Sequence, residues 1–218
     1  MTLSPSKQKL ATILLAASAA VVAFAQAKLP ADIDSDSRAR LPYLKSAEVD
    51  AKGKRVVDVF GKGGKITGPL AFASYNGAVA AALLDLHDGA IGGTLDAHTR
   101  ELAIMVACRE TNYNLEWNGH EPSALKAGVD AKVLDIVRNN RKLDGVDEKD
   151  AAVIRFGREL YGDRKVASAT FAKVVQLWGK RGAMDMVAVM NTYAVSGFFG
   201  IAVDEQAAEG KASLPARK

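Results

Sequence analysis

The stretch TLDAHTRELAIMVACRETNYNLEWNGHEPSALKAGVD, residues 94–130, predicts two consecutive helices. The first helix begins near Thr94, which we predict to be its cap, and Asp96, an acid that favours the N-terminal end of a helix. The second closes at Gly128, a residue type that is common directly after a helix. No part of the chain alternates convincingly between apolar and polar residues, as a half-buried strand would. We therefore predict an all-α fold.

The segments around this stretch have the same helical character, with acidic or hydroxyl residues at their starts and Gly or Asn at many of their ends. The Gly-rich segment 61–69 interrupts them, and it lacks the residues that a phosphate-binding loop requires. Apolar faces on successive helices favour a helical bundle. The further predicted helices cover 46–61, 76–89, 130–140, 147–163, 167–182 and 183–204.

The N-terminus has the three parts of a secretory signal peptide. Lys7 and Lys9 precede the uncharged apolar stretch 10–24, which is short for a membrane span of about 20 residues. The small-x-small pattern that precedes signal cleavage then occurs at Ala23, Ala25 and Ala27. We expect cleavage of the signal peptide 1–27 and export to the periplasm or secretion.

Behind the signal peptide we predict three parts. Residues 28–46 contain two prolines and mixed charges, and we interpret them as an extended arm. Residues 47–205 form the helical domain. Residues 206–218 form a loose tail, because they are polar and lie at the chain end.

Composition and charge exclude several classes of function. The net charge of +4 includes two lysines of the signal peptide, and no basic stripe with interleaved aromatics is present, so we expect no nucleic-acid partner. The lone Cys108 cannot form an internal disulfide and is either buried or available to another chain. No HExxH motif or cysteine pair supports a metal site, and we predict none.

Glu101 is the first candidate site residue, because it interrupts the apolar face of its helix. Ala97, Ile104, Met105 and Cys108 lie on the same side of the helix at 100° per residue. A carboxylate in such a place is either paired structurally or used as an acid or base. Position alone leaves both interpretations open.

Glu116 and His120 are the second and third candidates, since four residues place them on one helix face. A surface ion pair of a few tenths of a kcal/mol and a proton-transfer site both fit this spacing. Tyr113 is within reach of the same face, and Trp117 lies beside it. The other histidines have structural interpretations: His87 near a helix end, and His98 on the surface of a first helical turn.

Residues 94–130 resemble the carboxymuconolactone decarboxylase family, which includes the AhpD-like alkylhydroperoxidases. The shared features are Arg-Glu-Leu at 100–102, Glu116 followed four residues later by His120, and a closing Ala-x-x-x-Gly at 124–128. The resemblance is strongest over 69–146. The flanking segments 149–160 and 189–200 fit exported members of the decarboxylase-like branch.

The resemblance implies a helical domain that assembles as a homo-oligomer, a trimer or hexamer, with sites near subunit contacts. Redox-active relatives carry a Cys-x-x-Cys motif where this chain has Tyr113 and Glu116. A dithiol cycle needs two exchangeable sulfurs, so peroxidase activity of that type is disfavoured. The decarboxylase branch releases CO₂ from a carboxylated lactone without a cofactor, and we expect no cofactor here.

The resemblance also suggests roles for the candidate residues. His120 would supply a proton and Glu116 would orient the His120 ring. A protonated Glu101 would stabilise the lactone carbonyl. Tyr113 and Trp117 would line the substrate site. The alternatives are a non-catalytic member of this fold that binds a small acid or lactone, and a peroxiredoxin-type antioxidant.

Overall fold

The structure, a computed structural model, describes residues 29–211 and 213–216. The chain divides into two compact units, Met1–Ala31 and Asp32–Lys218. The predicted signal peptide, 1–27, lies outside the described residues. Every described helix and strand belongs to the second unit.

The second unit is helical, which confirms the all-α prediction. Its longest helix bends at Gly179, whose φ of 70° and ψ of 174° are not helical. The helices predicted at 167–182 and 183–204 form this one helix, and its bend lies at Gly179, inside the first predicted segment. The α-helices of the described residues are α1 (Lys54–Phe60), α2 (Gly77–Ile91), α3 (Ala97–Thr111), α4 (Asn114–Lys126), α5 (Ala131–Arg138), α6 (Glu148–Arg158) and α7 (Ser168–Ala202).

The segment predicted as one helix at 46–61 is helical only in its second half. Two 3₁₀ turns, Ser46–Glu48 and Ala51–Gly53, precede α1. The Asp50 side chain accepts hydrogen bonds from the backbone N–H groups of Lys52 and Gly53, which favours a turn over a continuous helix.

A small hairpin follows α1 in the Gly-rich loop. Strand β1 (Gly61–Lys62) pairs with strand β2 (Lys65–Ile66) in antiparallel register. Gly63 and Gly64 form the turn between them, both with positive φ. Strands of two residues are too short to produce an alternating pattern, which is why the sequence did not indicate them.

Helix α3 lies at the centre of the core. It packs against α4, α6 and α7, and every residue from Leu102 to Glu110 is buried. Asp96, rather than Thr94 as predicted, caps its start by accepting from the Thr99 N–H at 2.9 Å. Thr94 instead donates to Asp185 of α7, at 2.7 Å from its hydroxyl. The helix is thus covered on most sides, and Glu101 faces neighbours from other helices.

Part of the segment predicted as a loose tail packs onto the domain. Leu214 is buried in the main core cluster, and its N–H donates to Asn114 Oδ1 at 2.6 Å. Earlier in the same segment, the Ala207 carbonyl accepts a hydrogen bond from the Nε–H of Arg38 at 3.0 Å. None of the described helices is long and apolar enough to cross a membrane.

Candidate functional site

The packing of α4 on α3 brings three of the predicted residues together. His120 Nδ1 lies 3.0 Å from Glu101 Oε2, and His120 Nε2 lies 3.6 Å from Glu116 Oε2. The imidazole therefore stands between two carboxyl groups, one from each helix. The first distance is a hydrogen bond, and the second is longer than one.

Glu116 is the most buried of the three, with 7% of its side chain exposed. Burial raises the pKa of its carboxyl to about 7, while the nearby His120 opposes the shift and the charge of Glu205 adds to it. Its Oε1 is buried without a hydrogen-bond partner among the described residues. A carboxyl that titrates near neutral pH and has an unused oxygen is suited to exchange a proton with a ligand.

Tyr193 of α7 also lines this site, next to His120. Its ring meets the His120 imidazole edge to face, with centroids 4.7 Å apart. Burial raises the pKa of its hydroxyl, and the carboxyl groups of Glu116 and Glu101 raise it further, so the phenol stays protonated. Within residues 29–211 and 213–216 this hydroxyl has no hydrogen-bond partner and remains available as a donor.

The sequence did not indicate Tyr193. An aromatic residue on an apolar helix reads as core. Tyr193 could be assigned to the site only once the fold was known, because the fold packs α7 against α3 and α4.

Tyr113 and Trp117, the two residues predicted to bind substrate, contact groups other than His120. The Tyr113 hydroxyl donates to the Glu205 carboxylate rather than facing His120. Trp117 is fully buried, and the Arg138 guanidinium lies 4.7 Å from its ring centroid. Trp117 therefore anchors α4 in the core, and Tyr113 connects the start of α4 to the segment after α7.

Cys108 lies in the same region but has no exposed surface to react from. It is buried, and burial raises the pKa of its thiol well above the ordinary value, with Glu116 and Glu101 adding to the shift. A thiol held in its neutral form is a poor nucleophile.

The other two histidines do not belong to the cluster of Glu101, Glu116 and His120, although the His87 ring meets the Tyr193 ring edge to face with centroids 6.3 Å apart. His98 is not simply a surface residue, because its Nε2 lies 2.7 Å from the Oδ1 of Asp150, a buried residue at the start of α6. This pair connects α3 to α6. His87 lies towards the end of α2 and contacts the neighbouring Asp88 at 3.2 Å.

The cluster of Glu101, Glu116 and His120 combines side chains that can transfer protons. In the part of the chain that the structure describes, no group of three or more His, Cys, Asp or Glu side chains is arranged to hold a metal ion.

Comparisons with known proteins support the fold. No protein-family model matches the chain, and no curated protein matches it. Among solved structures, it is similar to a cysteine-to-alanine variant of the debrominase Bmp8 in complex with 2,3,4-tribromopyrrole, with a TM-score of 0.59 and 10% sequence identity. The match covers 78% of this chain and 94% of the debrominase chain. The debrominase has a helical AhpD-like fold, and the chain shares that all-α fold.

Proposed function

We propose that this protein is an enzyme that decarboxylates, or otherwise processes, a small carboxylic acid or lactone by general acid–base catalysis without a cofactor. The observation that carries the proposal is the position of His120 between Glu101 and Glu116, with one Glu116 oxygen unused. Loss of CO₂ leaves negative charge on the substrate, which needs a hydrogen-bond donor and then a proton. The cluster supplies both within a largely buried site.

The distances favour a particular division of roles. With Glu101 ionised, the His120 Nδ1–H donates to its carboxylate, and the ring turns Nε2 towards Glu116. This exchanges the roles that the resemblance suggested for the two carboxyl groups, because Glu101 is the closer partner of His120 and Glu116 is the more buried acid.

Decarboxylation at this cluster passes through an enolate. The bond between the departing carboxylate and its carbon breaks, CO₂ leaves, and the electron pair moves into an enolate. Protonated Glu116 donates a hydrogen bond to the enolate oxygen. Protonated His120 transfers its Nε2 proton to the carbon, and solvent restores that proton.

A metabolite screen that follows both CO₂ release and lactone loss tests this proposal. Turnover that falls in Glu116→Gln and persists in Glu148→Gln, an exposed glutamate on α6, would support it. Failure of every small acid and lactone to turn over would argue against it.

A second candidate is a non-catalytic protein that binds a small acid or lactone. The unpartnered Glu116 Oε1 favours it equally, since a protonated oxygen there would donate to a ligand carboxylate. Isothermal titration with compounds from the same screen separates the two: a binder shows affinity that changes in Glu116→Gln but no product. A peroxiredoxin-type activity has the least support, because Cys108 is the one cysteine of the chain.

We also propose that the domain assembles as a homo-oligomer, a trimer or hexamer. One face of α7 bears five apolar side chains and Asn191 at alternating spacings of three and four residues, and Met184 and Phe198 on it are more than half exposed. The face comprises Met184, Ala188, Asn191, Val195, Phe198 and Ala202. Size-exclusion chromatography with light scattering tests this, and a species near one chain mass at micromolar concentration would contradict it.

Export remains a proposal that rests on residues 1–27. Mass spectrometry of the N-terminus from fractionated cells tests it. A mature chain beginning after Ala25 or Ala27 in the periplasm or medium would support export, and an intact Met1 in the cytoplasm would contradict it.

A further inference from the structure

A half-buried carboxyl group, that of Glu205, lies beside the site on the segment that follows α7. Glu205 accepts a hydrogen bond from the Tyr113 hydroxyl. Its backbone N–H donates to the Gly200 carbonyl at 2.9 Å, so the end of α7 fixes the point from which its side chain starts. Tyr113 directly precedes α4, which carries Glu116 in its first turn.

Two glycines of α7 make room for this pair. A Cβ on Gly197 would lie 3.2 Å from the Cβ of Tyr113. A Cβ on Gly200 would lie 2.4 Å from the Tyr113 hydroxyl oxygen and 2.6 Å from Glu205 Oε2, closer than atoms of real side chains approach. The backbone of α7 therefore lies directly against both side chains and holds them in one arrangement.

The segment carrying Glu205 is itself fixed on both sides. The Gln206 N–H donates to the Arg38 carbonyl at 2.8 Å. Further along, the Leu214 N–H donates to Asn114 Oδ1, on the residue next to Tyr113. The segment after α7 thus contacts the start of α4 at two successive residues.

Glu205 is one of several charged or titratable groups that face Glu116. Burial also raises the pKa of Glu205, and the hydrogen bond from Tyr113 opposes that shift. An ionised Glu205 disfavours ionisation of Glu116, because like charges repel in a poorly solvated interior. The groups around Glu116 are His120 on its own helix, Glu101 and Cys108 on α3, Tyr193 on α7, Tyr113 before α4, and Glu205 after α7.

We propose that Glu205 is a positioning residue of the site, which fixes the first turn of α4 through Tyr113 and places its own carboxyl group close to that of Glu116. The catalytic meaning of this arrangement rests on the proposed function. The positioning itself does not, since it is a property of the ligand-free protein.

Carbon-detected NMR of the protein labelled at its glutamate carboxyl carbons tests the proposal without a substrate. The Glu116 signal is assigned by its loss in Glu116→Gln. In Glu205→Gln, which keeps an acceptor for the Tyr113 hydroxyl but removes the charge, the Glu116 midpoint should fall by about half a pH unit. In the matched control Glu148→Gln it should not move. An unchanged midpoint in a folded Glu205→Gln protein would overturn the proposal.

Titration of the wild-type protein is a second test, and it does not require a variant that folds. If Glu205 acts on Glu116, the titration curve of the Glu116 carbon carries an inflection at the midpoint measured for the Glu205 carbon in the same sample, beside any inflection from nearer groups. A curve without an inflection at that midpoint would overturn the proposal. Either result is independent of the turnover screen, so the proposed function and the role of Glu205 can fail separately.

Discussion

Two histidines contact carboxyl groups in this molecule, and they do so in different ways. His98 makes one short contact, 2.7 Å, with Asp150 and connects α3 to α6. His120 stands between Glu101 at 3.0 Å and Glu116 at 3.6 Å, beside a buried oxygen without a partner. The His98–Asp150 pair, whose atoms are in direct contact, stabilises the packing of two helices. The His120 cluster instead leaves one carboxyl oxygen of Glu116 without a partner, and that oxygen can bind a ligand. We therefore expect mutations at the two places to affect different properties.

The largest expected effect is on turnover at the His120 cluster. Glu101→Gln removes the negative charge that orients the imidazole while keeping the size of the side chain. Turnover of a substrate found in the screen should fall by about 10²–10⁴-fold, the range for a lost acid–base function. Steady-state kinetics measures it, with Glu148→Gln as the control. Wild-type turnover in Glu101→Gln would place the chemistry elsewhere.

The next effect is a pH dependence of stability that belongs to Glu116. Its pKa is about 7 in the folded protein against an ordinary value of 4.5, so the folded state favours the protonated carboxyl. The stability this contributes is complete below pH 4.5 and is lost as the pH rises through about 7. The loss amounts to about 3 kcal/mol.

Denaturant unfolding of the wild type and Glu116→Gln at pH 5, 6, 7 and 8 measures that dependence. The glutamine variant should lose less stability than the wild type as the pH rises. Two curves that run parallel over this range would show that Glu116 ionises normally in the folded protein.

A third effect is on stability at the His98 pair. His98→Ala leaves the buried Asp150 carboxyl without its partner, which should lower the free energy of unfolding by about 1–3 kcal/mol. Turnover per folded molecule should stay within about twofold of the wild type. A loss of turnover as large as that in Glu101→Gln would end the distinction between the two histidines.

The smallest expected effect concerns the free hydroxyl beside His120. Tyr193→Phe keeps the ring that packs on the imidazole and removes one donor, so turnover should fall by about 3–10-fold. Tyr75→Phe is the matched control, since Tyr75 is exposed and its hydroxyl binds the Pro42 carbonyl. Equal kinetics in the two variants would show that the Tyr193 hydroxyl does not contact the substrate.

Helical spacing within one short stretch was enough to predict the core of this arrangement. Glu101 could be singled out because it interrupts an apolar face, and Glu116 and His120 because they are one turn apart. The resemblance placed the three together, and in the structure they contact one another. Their catalytic role stays a prediction.

The remaining parts of the site depend on packing between elements that are distant in the chain. Tyr193 and Glu205 come from α7 and the segment after it, and neither lies in a local pattern that indicates chemistry. His98 was expected on the surface because its position in a first helical turn does not reveal that Asp150 of α6 covers it. Helical periodicity defines the faces of one helix, but it does not identify which helix covers each face.

The most direct test of this account compares His120→Ala with His98→Ala in both turnover and unfolding free energy. We predict a crossover. His120→Ala should lose about 10²–10⁴-fold in turnover with a folded, stable domain, and His98→Ala should lose stability with turnover intact. Full turnover in His120→Ala, or unfolding of that variant, would contradict the account, because the Glu101–His120–Glu116 cluster would then hold helices together rather than transfer protons.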